Sequence, residues 1–178
     1  IYLDSVVVTK KYDSYIFIRD HTGSMLIYDA GDGTGHRYGS GIAQGDVLHQ
    51  VVGRFRNYYG VPELSPTQTW NVAKEPIECM AEYITQIDSS NVCQYVRIAN
   101  ATIRGEGILS NATIAGIQIE DKFNMGLQDG TFAYVDAIVM ITWDTIQLWC
   151  VAQEQKTSEM FNIEIPNVNR KYLYYKMG

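Results

Sequence analysis

The sequence predicts an all-β chain with one minor helix, folded as two tandem five-stranded Greek-key barrels. Three observations carry this reading. Short runs of β-branched and aromatic residues, bounded by Gly, Asp and Asn, recur along most of the 178 residues. One segment alone has helical spacing. The order of elements before that segment returns after it. The chain is 46% hydrophobic and 12% aromatic, which excludes disorder and collagen. No apolar run approaches the roughly 20 residues that span a bilayer as a helix.

The elements follow in order. Val6-Val7-Val8 is a short apolar run. Tyr15 to Asp20 (YIFIRD) and Ser24 to Asp29 (SMLIYD) are β-rich and joined by His21-Thr22-Gly23, where glycine makes a positive φ cheap. Gly31 to Gly41 is too polar and glycine-rich to pack. Gly45-Asp46 opens a long strand, Val47 to Phe55, and Asn57-Tyr58-Tyr59-Gly60 turns it into Val61 to Leu64. Pro76 to Ile87 is the predicted helix: Pro76 suits a first turn, and Met80, Ile84 and Ile87 fall at helical spacing. Strands resume at Gln94 to Ile103, Thr113 to Asp121, Phe132 to Trp143 and Ile146 to Gln153, with Asp144-Thr145 as a tight turn. In the tail, Met160 to Ile165 reads as a strand, and Lys171 to Met177 is aromatic and basic.

The two halves repeat one order: a strand, a strand ending in Asp, a Gly-Asp or Asp-Gly opener, a long strand, a tight turn, a closing strand. The strand ending in Asp20 aligns with the one ending in Asp121, and Gly45-Asp46 with Asp129-Gly130. Five short strands closing on themselves with meandering connections describe the OB-fold. The expected divisions are 1–75 for the first barrel, 76–153 for a linking helix and second barrel, and 154–178 for a C-terminal extension.

The hairpin "YIFIRDHTG…SMLIYD" has the pattern of OB-fold strands 2 and 3. "GDVLHQVVGRFRNYYGVPELSP" resembles tandem OB-like modules of secreted or lipid-anchored Bacteroidetes proteins, with their Gly-Asp opener, V-x-G strand and Y-G-x-P-E-L turn. The resemblance covers about residues 1–70, and residues 94–153 only weakly. It implies an exported protein, periplasmic or at the cell surface, and no particular activity. Ile1 is not a natural start, so a removed leader or a lipid anchor is expected outside this chain.

Alternation along the strands points Ile16, Ile18, Met25 and Ile27 into the first barrel. Tyr15, Phe17, Arg19, Leu26 and Tyr28 then point outward, on the face where OB-folds take ligands. Arg54, Arg56, Tyr58 and Tyr59 border the same groove. The candidate ligand-binding set is therefore Tyr15, Phe17, Arg19, Tyr28, Arg54, Arg56, Tyr58 and Tyr59. Such aromatics stack bases or sugars; tandem barrels also use this face to pack on each other, and the sequence leaves both readings open. The aligned positions in the second half, Gly116, Gln118 and Glu120, carry no stacking group. Trp143 and Trp149 flank a tight turn, either packed across the hairpin or forming a sugar-stacking pair.

The net charge is −6, and residues 76–178 hold most of the excess, 12 acidic against 7 basic. A polyanion is thus disfavoured overall, and any that binds goes to the first half. Cys79, Cys93 and Cys150 read as small buried apolar residues, with a Cys79–Cys93 disulfide as the alternative. His21, His36 and His49 sit in no catalytic motif, and P-loop, HExxH and GxSxG patterns are missing. Asp29 and Asp32 only faintly suggest a calcium loop, because no Glu follows. Asn100 and Asn111 begin glycosylation sequons, relevant to a eukaryotic secretory host. Asp20 and Asp121 read as turn-capping carboxylates. The expectation is a binding module without catalysis, cofactor or metal. Its ligand is unassigned: an oligosaccharide, a protein or single-stranded nucleic acid.

Overall fold

A computed structural model describes residues 1–157. The tail strand expected at Met160 to Ile165 and the basic aromatic segment after it lie outside the described residues. The strands fall into two separate sheets. The first comprises β1 (Tyr2–Tyr12), β2 (Tyr15–Arg19), β3 (Ser24–Tyr28), β4 (Val47–Tyr58), β5 (Val61–Pro66) and the short β6 (Asn71–Val72). It closes into a five-strand barrel. β1 pairs with β4 through its first half and with β2 through its second, and a bulge between Val8 and Lys10 bends it from one partner to the other. β3 runs parallel to β5. Val8, Ile16, Ile18, Ile27, Leu48 and Leu64 fill the interior.

The second sheet comprises β7 (Glu82–Tyr83), β8 (Tyr95–Ala99), β9 (Thr102–Arg104), β10 (Ile108–Ser110), β11 (Ile117–Glu120), β12 (Gly130–Thr142) and β13 (Thr145–Gln155). Its pairing order repeats that of the first. β8 and β9 together pair with β12 as β1 does with β4. β11 runs parallel to β13 as β3 does to β5. This corrects the internal alignment. β11 is the counterpart of β3, so Asp121 corresponds to Asp29 rather than to Asp20, and the counterpart of β2 is β10. The positions opposite Tyr15, Phe17 and Arg19 are therefore not Gly116, Gln118 and Glu120.

The two matched carboxylates perform matched work. Asp29 accepts from the backbone N–H groups of Gly31 (3.2 Å) and Gly39 (2.6 Å). Asp121 accepts from those of Met125 (2.6 Å), Gly126 (2.9 Å) and Leu127 (3.1 Å). Each ties down the loop that follows its strand. Asp20 is a turn cap as expected, accepting from Thr22 and Gly23.

The helix expected over Pro76 to Ile87 does not form. The segment is an extended strap between the halves, and the described residues are helical only in the single turn Ser89–Asn91. Tertiary partners claim its backbone. The Ile77 N–H donates to the Gly45 carbonyl (2.9 Å), β7 pairs with β8, and the Ile84 N–H donates to the Arg97 carbonyl (3.1 Å). Ala81, Ile84 and Ile87 face inward while Met80 is exposed, so the apparent helical spacing arises from packing on two bodies. A lone helix of this length is marginal in water, and contact overrides it. Gly45 permits the close approach: a Cβ there would stand 2.5 Å from the Ile77 carbonyl oxygen.

A third apolar core lies between the halves. Phe17 and Leu26 from the first meet Cys93, Phe123, Ile138 and Trp149 from the second. Phe17 is fully buried, edge-on to Trp149 (6.1 Å between ring centroids) and to Phe123 (6.1 Å). This core explains the two-sided apolar run of β12. Ala137 and Val139 face the second sheet's own core, and Ile138 and Met140 face the shared one. Arg97 and Asp136 form a bidentate pair (2.7 and 2.7 Å) that ties β8 to β12. The three cysteines are free; burial pushes the Cys150 thiol up to about 12.

Two outcomes follow. Phe17→Ala should lower unfolding stability by about 3–5 kcal/mol in urea titrations; a loss below about 1 kcal/mol would mean that the face is open. For Asp121, burial pushes the carboxyl up, but its backbone N–H partners outweigh this and leave its pKa below the ordinary value. Its stabilising contribution is then complete above about pH 5 and lost as the pH falls through the folded-state pKa. Between about pH 5 and pH 3 the urea midpoint of Asp121→Asn should fall less steeply than that of the unsubstituted protein.

Candidate functional site

The site grows from two hairpins. β4 and β5 are joined by Tyr59-Gly60, with φ of 48° and 90°. β12 and β13 are joined by Trp143-Asp144, with φ of 52° and 59°. Two-residue turns with both central φ positive are type I′, which matches strand twist and favours Asn and Gly. The two hairpins occupy equivalent places in the two halves, and their tips touch. A Cβ on Gly60 would stand 2.9 Å from Ile141 Cδ1.

Between them opens a cleft of about 640 Å³, within the range of small-ligand sites. Tyr15, Tyr28, Arg56, Tyr58 and Tyr59 line it from the first half, facing Trp143 on the opposite rim. Leu26, Met140 and Trp149 form the buried floor. Tyr15 packs edge-on against Tyr28 and against Trp149, both at 5.6 Å. Tyr58 and Tyr59 are edge-on at 4.9 Å. Exposure rises toward the rim, where Tyr59 is 75% and Trp143 94% exposed.

One ion pair lies in the cleft wall. Arg56 Nε donates to Glu63 Oε1 (2.7 Å), a second guanidinium nitrogen also contacts Glu63, and the group stacks 4.7 Å from the Tyr58 ring centre. Glu63 is itself buried. Lys122 lies 5.7 Å from the Trp149 ring centre. Burial, then the neighbouring Tyr28 and Glu63, raise the Tyr15 hydroxyl above its ordinary pKa.

Five of the eight residues expected at a ligand surface thus meet in one cleft. The other three stand elsewhere. Phe17 is interior to the shared core, because the second half covers it. Arg19 binds the strap, donating to the Met80 carbonyl (3.0 Å) and to Glu82 (3.3 Å), and borders a separate polar pocket of about 420 Å³ beside Ser89 and Ser90. Arg54 is an exposed residue of β4 opposite Ser65, outside the cleft lining. The cross-strand indole pair does not form either. Trp143 is a turn residue, and Trp149, paired with Ile138, is only 5% exposed. Both nevertheless line the cleft. Glu63, Lys122 and Asp144 were not legible as site residues, since only the packing of the halves brings them together.

No protein-family model matches the chain, and a comparison with curated proteins finds no relative.

Trp143 holds a left-handed φ with a bulky side chain in solvent. That conformation costs roughly 1–2 kcal/mol. Trp143→Asn should therefore raise stability by up to about that amount in thermal melts. A lower melting temperature would show that the indole is a structural support.

Proposed function

We propose that the second sheet is a second OB-type barrel, and that the chain is a non-catalytic binding module of an exported protein whose ligand occupies the cleft between the two hairpin tips. One observation carries this reading: aromatic side chains from both halves converge on a single cleft, with the outermost left in solvent. Large exposed aromatics gathered at a concave site are the surface feature that marks ligands. The β4–β5 connection is also where OB-folds take ligands. The export assignment rests on the sequence resemblance alone.

The test is a binding screen of immobilised protein against arrayed oligosaccharides, peptides and single-stranded DNA. It is run in parallel with Tyr58→Ala/Tyr59→Ala, whose replaced rings are solvent-exposed. Hits lost in the double variant, at an unchanged melting temperature, support the cleft. Hits that survive it place the ligand elsewhere.

A further inference from the structure

Resting on that reading of the cleft, we propose that its ligand is a neutral oligosaccharide, stacked on Trp143 and Tyr59 at the rim and hydrogen-bonded through its hydroxyls to Arg56, which the buried Glu63 orients. Charge is the first ground. The lining holds two cations, Arg56 and Lys122, and two anions, Glu63 and Asp144. Arg56 is engaged by Glu63 and Lys122 lies over an indole. A site for a polyanion needs cations left over to displace counterions, and this cleft balances to zero.

The broken apolar lining is the second ground. At the cleft the hairpin tips pair only within themselves, Arg56 to Tyr58 with β5 and Met140 to Thr142 with β13, so strand addition by an extended peptide is the outcome that the peptide arm of the test reads. An amphipathic helix wants a continuous apolar groove, and here Arg56, Glu63, Lys122 and Asp144 interrupt it.

The remaining chemistry is that of a pyranose. A sugar ring offers an apolar C–H face and a girdle of hydroxyls that both donate and accept. The cleft offers the complement. Tyr and Trp rings present apolar faces with a polar edge. Beside them the half-exposed Arg56 guanidinium, held in fixed orientation by the buried Glu63 carboxylate, supplies donors, and the tyrosine hydroxyls both donate and accept. The rim aromatics also sit where a chain longer than the cleft would leave it, which suits an oligomer rather than a monosaccharide.

The experiment follows tryptophan emission, because Trp143 is exposed whereas Trp149 is buried and Trp70 packs against the barrel core. The protein is titrated with linear hexasaccharides of glucose, xylose and mannose. Hexagalacturonate, a dodecathymidylate and an unstructured peptide pool serve as the other arms. At least one neutral hexasaccharide should blue-shift the emission and bind equally at about 50 and about 200 mM salt. Trp143→Ala should weaken that binding about tenfold or more without lowering the melting temperature. Preference for hexagalacturonate, DNA or peptide, still abolished by Trp143→Ala, overturns the ligand class and leaves the cleft in place. Binding of a neutral hexasaccharide unaffected by Trp143→Ala and by Tyr58→Ala/Tyr59→Ala overturns both. Failure of every neutral hexasaccharide to bind overturns the ligand class.

Discussion

The edge-on packing of Phe17 against Trp149 and Phe123 is the contact on which the rest of the molecule depends. Phe17 stands on the outer face of the barrel, where an unpaired ring would be left in water. Burying it against two more rings stabilises the pair of halves through lost apolar area, with each aromatic pair adding roughly 0.5–1.5 kcal/mol beyond it. Once that face is covered, the relative position of the halves is set. Tyr12 and Asn124 (2.7 Å) and Arg19 with the strap reinforce it at the periphery. Everything at the rim of this core follows from its geometry.

The cleft is one such consequence. The hairpins of β4–β5 and β12–β13 project past the shared core, and Gly60 lets their tips meet at Ile141. Tyr15 belongs to both regions, touching Trp149 on its buried side and lining the cleft with its other side. The floor is therefore rigid because it is the edge of a core, while the rim is exposed and, at Trp143, strained. Strain of this kind persists where surrounding structure imposes it, and it concentrates at binding sites. The buried Glu63 carboxylate stays compatible with its setting because Arg56 neutralises it.

Much of the fold was legible in local pattern. Alternation alone separated Ile16 and Ile18 from Tyr15 and Phe17, and both sets face as alternation requires. The long strand read over Phe132 to Trp143 is β12, and the structure buries it on both faces. What failed was decided by distant contact. The strap read as a helix because Met80, Ile84 and Ile87 match a helical period, whereas its amides are satisfied by Gly45 and Arg97. β10 carries too little strand signal to be read, being three residues long between glycine-rich and polar turns, and without it the internal alignment shifts by one strand. At the site, the aromatics of the first half and the two indoles of the second were each visible, and nothing local showed that they share one cleft. No local rule places Trp143 in the turn rather than on the strand, because its positive φ runs against the preference of its own side chain.

Whether the halves are one cooperative body is the claim beneath both the shared core and the cleft. Differential scanning calorimetry of the intact chain measures it directly. The account predicts a single transition whose calorimetric and van't Hoff enthalpies agree, as for one two-state unit. Two separable transitions, each assignable to one sheet, would contradict it.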